Sequence, residues 1–216
     1  NIEEIQTIQN RSLEFSLLIS LPSAAGLYIL SFPIIHILFE RGAFLPNDTF
    51  YTAKVLSTFA IGLPAYILIK VLVTCFFARE DTKTPLYISI LSVIVNIILS
   101  LLLINTMREM GIALATAISA WINALFLFFI LRLQNNLYID LKLINNSLKI
   151  IFSTIIMMTG CYFINLMIFS NIEELSSFSK IASLVLIILF CKIIYLTMIF
   201  VLKVLTIHDL KGYIQK

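Results

Sequence analysis

The sequence predicts an all-α fold, a polytopic transmembrane helical bundle with six spans. Of its 216 residues, 60% are hydrophobic and only 12% are charged, and the mean hydropathy is +1.02. Soluble domains carry about 25% charged residues, so this chain has too few charges to cover the surface of a water-soluble globule. The apolar residues also fall into six runs, each long enough to cross about 30 Å of hydrocarbon as a helix.

The six predicted spans follow one another with short loops. They cover residues 12–39, 49–77, 85–104, 110–133, 147–169 and 178–205. Because the runs are apolar nearly all round, they do not match the one-sided pattern of helices in a soluble domain. The first span contains Pro22 and Pro33, where we expect kinks. Neighbouring helices, or the hydroxyls of Ser20 and Ser23, are expected to bond the carbonyls that these prolines leave free.

The loops carry signals of their own. Asp48 is expected to cap the second span, because a carboxylate accepts hydrogen bonds from the free N–H groups of a helix start. The segment "QNNLYIDLKLINN", residues 134–146, is longer than the other loops and is expected to lie at the membrane interface. The segment "SNIEELSS", residues 170–177, joins the last two spans.

The distribution of lysine and arginine predicts the orientation. The side that holds both termini has nine of them: Arg11, Arg79, Lys83, Arg132, Lys142, Lys149, Lys203, Lys211 and Lys216. The opposite side has four: Arg41, Lys54, Arg108 and Lys180. Because loops on the cytoplasmic side carry the excess of these residues, both termini are predicted to be cytoplasmic.

A compact polar turn, "AREDTKTP", connects the second and third spans. Arg79 marks the level of the cytoplasmic headgroups. Asp81 or Thr82 is expected to hold the turn by bonding backbone groups through its side chain. Thr84 followed by Pro85 suits an N-cap and a first helical residue, since proline lacks the N–H that would otherwise be left free.

Lys70 is one of two lysines, with Lys192, that this count assigns to neither side, because both lie well inside their spans. It lies seven residues before the cytoplasmic end of its span, which is roughly 10 Å of helix rise. Two interpretations remain open. The ammonium group reaches the inner interface along its own flexible stem, or it faces a wet cavity and contacts an anion, as charged residues within membranes commonly do.

Three segments resemble one family of membrane proteins. The segment around Lys70, "GLPAYILIKVLVTCFFAREDTKTP", is similar to the corresponding stretch of the bacterial MurJ (MviN) lipid II flippases. The upstream "LPSAAGLYILSFPIIHILFERGAF" and the downstream "GIALATAISAWINALFLFFIL" resemble the same family. This family belongs to the multidrug/oligosaccharidyl-lipid/polysaccharide exporter superfamily, and the resemblance is specific over about residues 10–133.

The resemblance implies a function and a place in a larger protein. Family members have fourteen helices, and the six here match the last six. Residues 1–133 would then be four helices of a transporter lobe, and residues 134–216 two additional helices with a short cytoplasmic tail. The implied activity is movement of an undecaprenyl-pyrophosphate-linked peptidoglycan precursor across the inner membrane by alternating access. Most of the family's pyrophosphate-binding cations lie in the first, second and eighth helices, which this chain does not match.

The implied partners follow from that activity. They are the lipid-linked precursor, membrane lipids and the missing N-terminal helices of the same transporter, with no nucleic acid and no cofactor. The implied location is the bacterial inner membrane, which the chain would cross several times.

A sodium site is implied for some members of the family. It uses an Asn, an Asp one turn later and a Thr on the following helix. This chain matches at Asn96 and Thr116 but has Ser100 in place of the acid, and the loss of a carboxylate removes the strongest ligand for a hard cation. The alternative is hydrogen bonding between helices, with each bond contributing about 0.6 kcal/mol in membranes.

Three further charged residues are candidates for the substrate path. Arg11 and Glu14 are three residues apart and could pair, either near the inner gate of a central cavity or simply at the interface. Lys192 lies in the middle of the last span, where a charge is costly unless it faces protein or water. It is therefore expected to point toward a partner helix or into a groove, which in the family is proposed to hold the long lipid tail.

Small residues and cysteines have structural interpretations. Gly111, Ala115, Ser119 and Asn123 recur every four residues on the fourth span and would let another helix approach closely, although a substrate path is the alternative. The three cysteines lie in apolar runs without the spacing of a zinc site, so we expect buried thiols and no metal.

Two other functions remain open. The chain could belong to a flippase or exporter of another lipid-linked saccharide or drug in the same superfamily. It could also be a non-transporting membrane module or a gene remnant. An enzyme is not expected, because the sequence lacks HExxH, GxSxG and a glycine-rich phosphate loop.

Overall fold

The computed structural model describes residues 2–169 and 177–204, which form seven α-helices. They are α1 (Ile2–Ile29), α2 (Ser31–Phe39), α3 (Pro46–Phe77), α4 (Lys83–Met107), α5 (Glu109–Leu133), α6 (Leu141–Phe169) and α7 (Ser177–Val201). All except α2 are long and apolar enough to cross a membrane. The structure therefore confirms the predicted all-α bundle with six spans.

The first predicted span is wrong as a single helix. The chain forms α1 and α2, separated at Leu30, which has φ −91° and ψ 8°. Pro33 explains the separation, because it has no N–H to bond the Ile29 carbonyl and its ring crowds that carbonyl. The helix also begins at Ile2 rather than at residue 12. Gln9 and Asn10 are buried against the bundle, so the polar opening segment is held in helical form by packing.

Pro22, in contrast, does not interrupt α1, which continues through it. A proline at this position leaves the Leu18 carbonyl, four residues earlier, without its usual helical donor. The Tyr195 hydroxyl of α7 donates to that carbonyl at 2.7 Å. The expected help from a neighbouring helix is therefore confirmed, whereas Ser23 donates to Ile19 instead.

The other helix boundaries differ from the prediction at polar residues. α6 begins at Leu141 because the Asp140 carboxylate accepts the N–H of Leu143 at 2.7 Å, so the predicted interfacial loop over 134–146 is wrong beyond residue 140. Asp48 lies inside the first turn of α3 and not at its cap, and its carboxylate accepts the N–H of Leu45 at 2.9 Å. The last span ends at Val201. Residues 170–176 of the predicted loop over 170–177 lie outside the described residues.

α5 occupies the centre of one half of the bundle, between α3 and α4. Its small residues allow this packing. A Cβ atom on Gly111 would lie only 2.6 Å from the carbonyl oxygen of Leu103 on α4, and Ala115 and Ser119 are buried. The predicted close approach of another helix to this stripe is confirmed.

α6 and α7 pack against α1 and form the second half of the bundle. Their shared core contains Leu18, Ile150, Cys161, Ile187 and Ile199. All three cysteines of the chain are free and buried, as the sequence predicted.

One side of the bundle has no described partner. α4 packs almost entirely on α5, so most of its apolar side chains remain exposed, including Ile97, Leu101 and Leu102. α3 also has exposed side chains, including Lys70, Thr74 and Phe77. This side is where the candidate site begins.

Candidate functional site

Lys70 lies on the uncovered face of α3. Leu72, Cys75 and Phe76 are buried in the bundle core, whereas Lys70 is exposed. Two polar side chains flank it at the spacing of one helical turn. They are Tyr66, whose hydroxyl is buried without a hydrogen bond, and Thr74, whose hydroxyl donates to the Val71 carbonyl.

The Lys70 ammonium group has no ion-pair partner within residues 2–169 or 177–204. Its position on an open face is compatible with both interpretations from the sequence. In lipid the side chain can extend toward the cytoplasmic end of α3, and beside further helices it can meet an anion in a wet path. Its role therefore stays a prediction.

The polar turn after α3 is held by Asp81. Its carboxylate accepts the N–H of Thr84 at 3.0 Å, and this bond lowers the pKa of the Asp81 carboxyl from its usual value. α4 begins at Lys83, with Thr82 before it making no side-chain cap bond. The prediction of Thr84 as N-cap and Pro85 as first helical residue is therefore wrong. Pro85 is tolerated because N–H groups of the first turn have no helical acceptor.

Arg79 joins this turn to the loop before α6. Its guanidinium donates to the Cys75 carbonyl at 2.9 Å and to the Asn136 carbonyl at 2.7 Å. Glu80, with φ 60°, reverses the chain beside it. Arg79 therefore ties two loops together at one end of the bundle, in addition to any contact with headgroups.

Glu14 bonds a different partner from the one that the sequence suggested. The side-chain amide of Asn146 on α6 donates to its carboxylate at 2.8 Å. Arg11 forms no ion pair with it among the described residues and is exposed. The expected pair is wrong because Glu14 faces α6, where Asn146 is buried, whereas Arg11 can remain hydrated.

Lys192 lines a groove of about 450 Å³ between α1, α6 and α7. Most of the lining is apolar, including Pro22, Gly26, Met157 and Leu196. Lys192 is the only charged residue in that lining, and its side chain is exposed. The geometry agrees with the expected position in a groove, although its role stays a prediction.

A hydrogen-bonded cluster connects α4 and α5. The Asn96 amide donates to the hydroxyls of Thr116 at 3.2 Å and Ser119 at 3.1 Å. Ser100 donates to the Asn96 carbonyl oxygen at 3.1 Å, and Ser92 donates to the Ser119 backbone carbonyl at 2.8 Å. The cluster joins the two helices without any charged group.

Comparison with known proteins identifies the family. The family model described as lipid II flippase MurJ matches residues 1–185. The chain belongs to the MurJ lipid II flippase family. A probable lipid II flippase MurJ of Rickettsia prowazekii is 46% identical over 140 residues, which cover 65% of this chain and 28% of the relative. That of Rhizobium meliloti is 40% identical over 162 residues, which cover 75% of this chain and 30% of the relative.

A solved MurJ structure supports the same fold. The lipid II flippase MurJ in an inward closed conformation matches with a TM-score of 0.74 and 30% identity, covering 91% of this chain and 38% of that chain. The chain spans only 28% to 30% of the length of the curated relatives named above. It matches the C-terminal part of MurJ and is a multi-pass protein of the bacterial inner membrane.

The sodium site that the MurJ resemblance implies does not fit the side chains present. Sodium is a hard cation that requires oxygen ligands, and here they would be the Asn96 amide oxygen and the Ser100 and Thr116 hydroxyls. Two of these oxygens already accept hydrogen bonds, because the Asn96 amide oxygen accepts from Ser100 and the Thr116 hydroxyl oxygen accepts from the Asn96 amide. No carboxylate among the three side chains offsets the charge of the cation. In residues 2–169 and 177–204 no group of three or more His, Cys, Asp and Glu side chains could hold a metal ion.

Sequence analysis missed a polar contact in this MurJ chain where α2 meets α3. His36 Nδ1 lies 2.8 Å from Glu40 Oε2, and the Thr49 hydroxyl donates to the same oxygen at 2.6 Å. The Thr49 hydrogen bond, followed by that of His36, lowers the pKa of the Glu40 carboxyl. The four-residue spacing of His36 and Glu40 was the available signal, but the part played by Thr49 depends on the fold.

Proposed function

We propose that this chain forms the C-terminal part of a lipid II flippase, which moves the undecaprenyl-pyrophosphate-linked peptidoglycan precursor across the inner membrane by alternating access. The match of the MurJ family model to residues 1–185 carries the proposal. The solved MurJ structure supports it with coverage of 91% of the chain. The family transports a lipid and is not a family of catalytic enzymes.

The uncovered side of α3 and α4 supports a role as one wall of a larger transporter. A bundle that leaves this much apolar surface without a helical partner suits association with further helices. The proposed partners are the N-terminal helices of the same transporter, since the relatives are more than three times as long as the matched segment. Lys70 would then line the substrate path and contribute a positive charge toward the pyrophosphate.

The groove between α1, α6 and α7 is proposed to hold the lipid tail. The groove has a volume of about 450 Å³ and a mostly apolar lining. An apolar chain is therefore accommodated there as favourably as in the surrounding lipid. Lys192 would add one positive charge beside the tail, and Arg11 another in the N-terminal half of α1. Membrane lipids would occupy the groove between transport cycles.

The proposal is tested by complementation in cells depleted of their own flippase. One strain receives this chain alone, and a second receives it together with the N-terminal helices of a full-length relative. The chain alone is expected not to restore peptidoglycan synthesis, whereas the combination is expected to restore it. The matched control is the N-terminal helices without this chain.

Two outcomes would contradict the proposal. Rescue by the chain alone would show that it is not a partial transporter. Failure of the combination, with both parts present in the membrane at normal levels, would argue against a contribution to lipid II flipping. Immunoblots of membrane fractions supply the required measurement of both levels.

A further inference from the structure

A second cavity lies at the end of the bundle opposite the Arg79 turn. It has a volume of about 600 Å³ and opens between the starts of α3 and α5 and the loop before α3. Its lining consists of Phe44, Asn47, Asp48, Tyr51, Thr52, Val55, Arg108 and Glu109. This volume falls within the range of about 300–1,000 Å³ that is typical of small-molecule sites.

Arg108 provides the single positive charge of this cleft. It is the one residue between α4 and α5, and its backbone has φ 51° and ψ −133°, a conformation that favours glycine. Its guanidinium forms no hydrogen bond or ion pair with any residue that the structure describes, and the side chain is exposed. Five N–H donors are therefore available to a ligand.

The two carboxylates of the cleft are only partly used. Asp48 accepts the N–H of Leu45, which leaves further acceptor capacity on its two oxygens. Glu109 has no ion-pair partner in the described ranges. The cleft thus contains three charged groups that form no ion pair with one another.

The balance of charge selects the class of ligand. One guanidinium and two carboxylates give the cleft a formal charge of −1. A phosphate or diphosphate would gain one cation and meet two like charges, so it is disfavoured. A zwitterion can satisfy both signs, because its carboxylate suits the planar fork of Arg108 and its ammonium suits Glu109 and Asp48. Phe44, Tyr51 and Val55 supply an apolar wall for the rest of the ligand.

We propose that this cleft binds a zwitterionic peptide, with a ligand carboxylate on Arg108 and a ligand ammonium on Glu109. The predicted orientation places the cleft on the outer side of the membrane, where the peptide portion of a translocated precursor emerges. The identity of the peptide as that portion rests on the proposed function. Binding there would hold the headgroup after translocation and oppose its return.

The experiment measures binding to the purified 216-residue chain in lipid nanodiscs by isothermal titration calorimetry. The probe is the lipid-free disaccharide pentapeptide with a free side-chain amine at its third residue. The wild-type chain is expected to bind it, and Arg108→Gln and Glu109→Gln are each expected to weaken binding about tenfold, as loss of one charge-assisted contact predicts. Arg108→Lys should retain part of the affinity, because it keeps the charge and loses the fork.

Matched controls separate the site from general electrostatics. Arg41→Gln removes another arginine outside the cleft lining, whose guanidinium donates to the Leu38 carbonyl, and should leave binding unchanged. Acetylation of the probe's amine should weaken binding to the wild-type chain and have little further effect on Glu109→Gln. Circular dichroism of every variant verifies that the helices are retained.

Three results would overturn the proposal. They are no binding of the probe at about 10 mM, equal binding by wild type, Arg108→Gln and Glu109→Gln, and preferential binding of inorganic diphosphate. The test does not depend on flipping. If the peptide binds in the nanodisc but the combined helices do not rescue growth, the peptide site is supported and the proposed function is rejected. If the combined helices rescue growth but the peptide does not bind, the proposed function is supported and the peptide site is rejected.

Discussion

Lys70 is a charged residue on an exposed face of α3, inside the membrane span. The buried side of α3 is wholly committed to packing through residues such as Leu72 and Phe76, whereas Lys70 contacts no described counter-charge. A lysine that only reaches toward the headgroups tolerates replacement by an uncharged side chain of similar length. A lysine that binds a phosphate group does not.

Replacing Lys70 by Met tests this difference in a transporter assembled with the N-terminal helices. If Lys70 contacts the pyrophosphate, Lys70→Met should lower the rate of lipid II flipping in proteoliposomes by about tenfold or more, because a charge-assisted contact is lost. Lys70→Arg is the matched control and should retain much of the activity. Equal activity of Lys70→Met and wild type, at equal membrane levels, would assign the residue to the interface alone.

Single residues were predicted well where the chemistry is local and poorly where it depends on the fold. Asp81 or Thr82 was expected to hold the turn, and Asp81 does so by accepting the N–H of Thr84. Thr84 was expected to cap the next helix, but α4 begins one residue earlier, at Lys83. The partner of Glu14 is 132 residues away on α6, so the local spacing to Arg11 pointed to the wrong side chain.

At the scale of elements, hydropathy located the six spans but not their ends. The membrane fixes the minimum length of an apolar run, and each run does contain a helix. A helix extends beyond its apolar run whenever polar residues cap or pack it, as Asp140 does at the start of α6 and as Gln9 and Asn10 do within α1. Proline effects were only half predictable, since α1 and α2 are separated just before Pro33 whereas α1 continues through Pro22.

The α4–α5 cluster supports a prediction about cation dependence. Ser100→Asp would add the missing carboxylate beside Asn96 and Thr116, so sodium should raise the thermal unfolding midpoint of this variant by about 2–4 °C for each kcal/mol of binding. The wild-type chain should show no such shift between sodium and choline salts. Without sodium, the variant should be less stable than wild type, because an unpaired charge within a membrane protein is costly.

Ser100→Asn provides the control for this measurement. It has nearly the size of the aspartate without its charge and should respond to sodium as the wild type does. A sodium-dependent shift of equal size in the wild-type chain would contradict the interpretation of the cluster as an uncharged connection between two helices.

At the scale of the whole molecule, the sequence predicts the number of spans and their sidedness but not which helices meet. Nothing in the pattern indicates that α6 and α7 pack on α1, because a nearly uniform apolar surface specifies no partner. The contact depends on individual bonds between distant residues, such as Asn146 with Glu14. The division into residues 1–133 and 134–216 likewise stays a prediction.

The predicted orientation can be measured by cysteine labelling. Asn47→Cys, in the lining of the cleft, should react with a membrane-impermeant maleimide in intact cells, because its end of the bundle is predicted to face outward. Asn135→Cys, in the loop before α6, should react only after permeabilisation. The three native cysteines are buried and should remain silent in the wild-type control. The reverse labelling pattern would invert the topology.

The bond between Tyr195 and Leu18 has a consequence for how this protein can evolve. Pro22 leaves the Leu18 carbonyl without a helical donor, and the Tyr195 hydroxyl donates to it. The stabilisation that each of these two residues provides therefore depends on the presence of the other. If the tyrosine is replaced first, the Leu18 carbonyl is left without a hydrogen bond in an apolar environment. If the proline is replaced first, the Tyr195 hydroxyl must compete with a backbone N–H for its acceptor. The two positions should therefore vary together across related sequences, with the intermediate combinations rare.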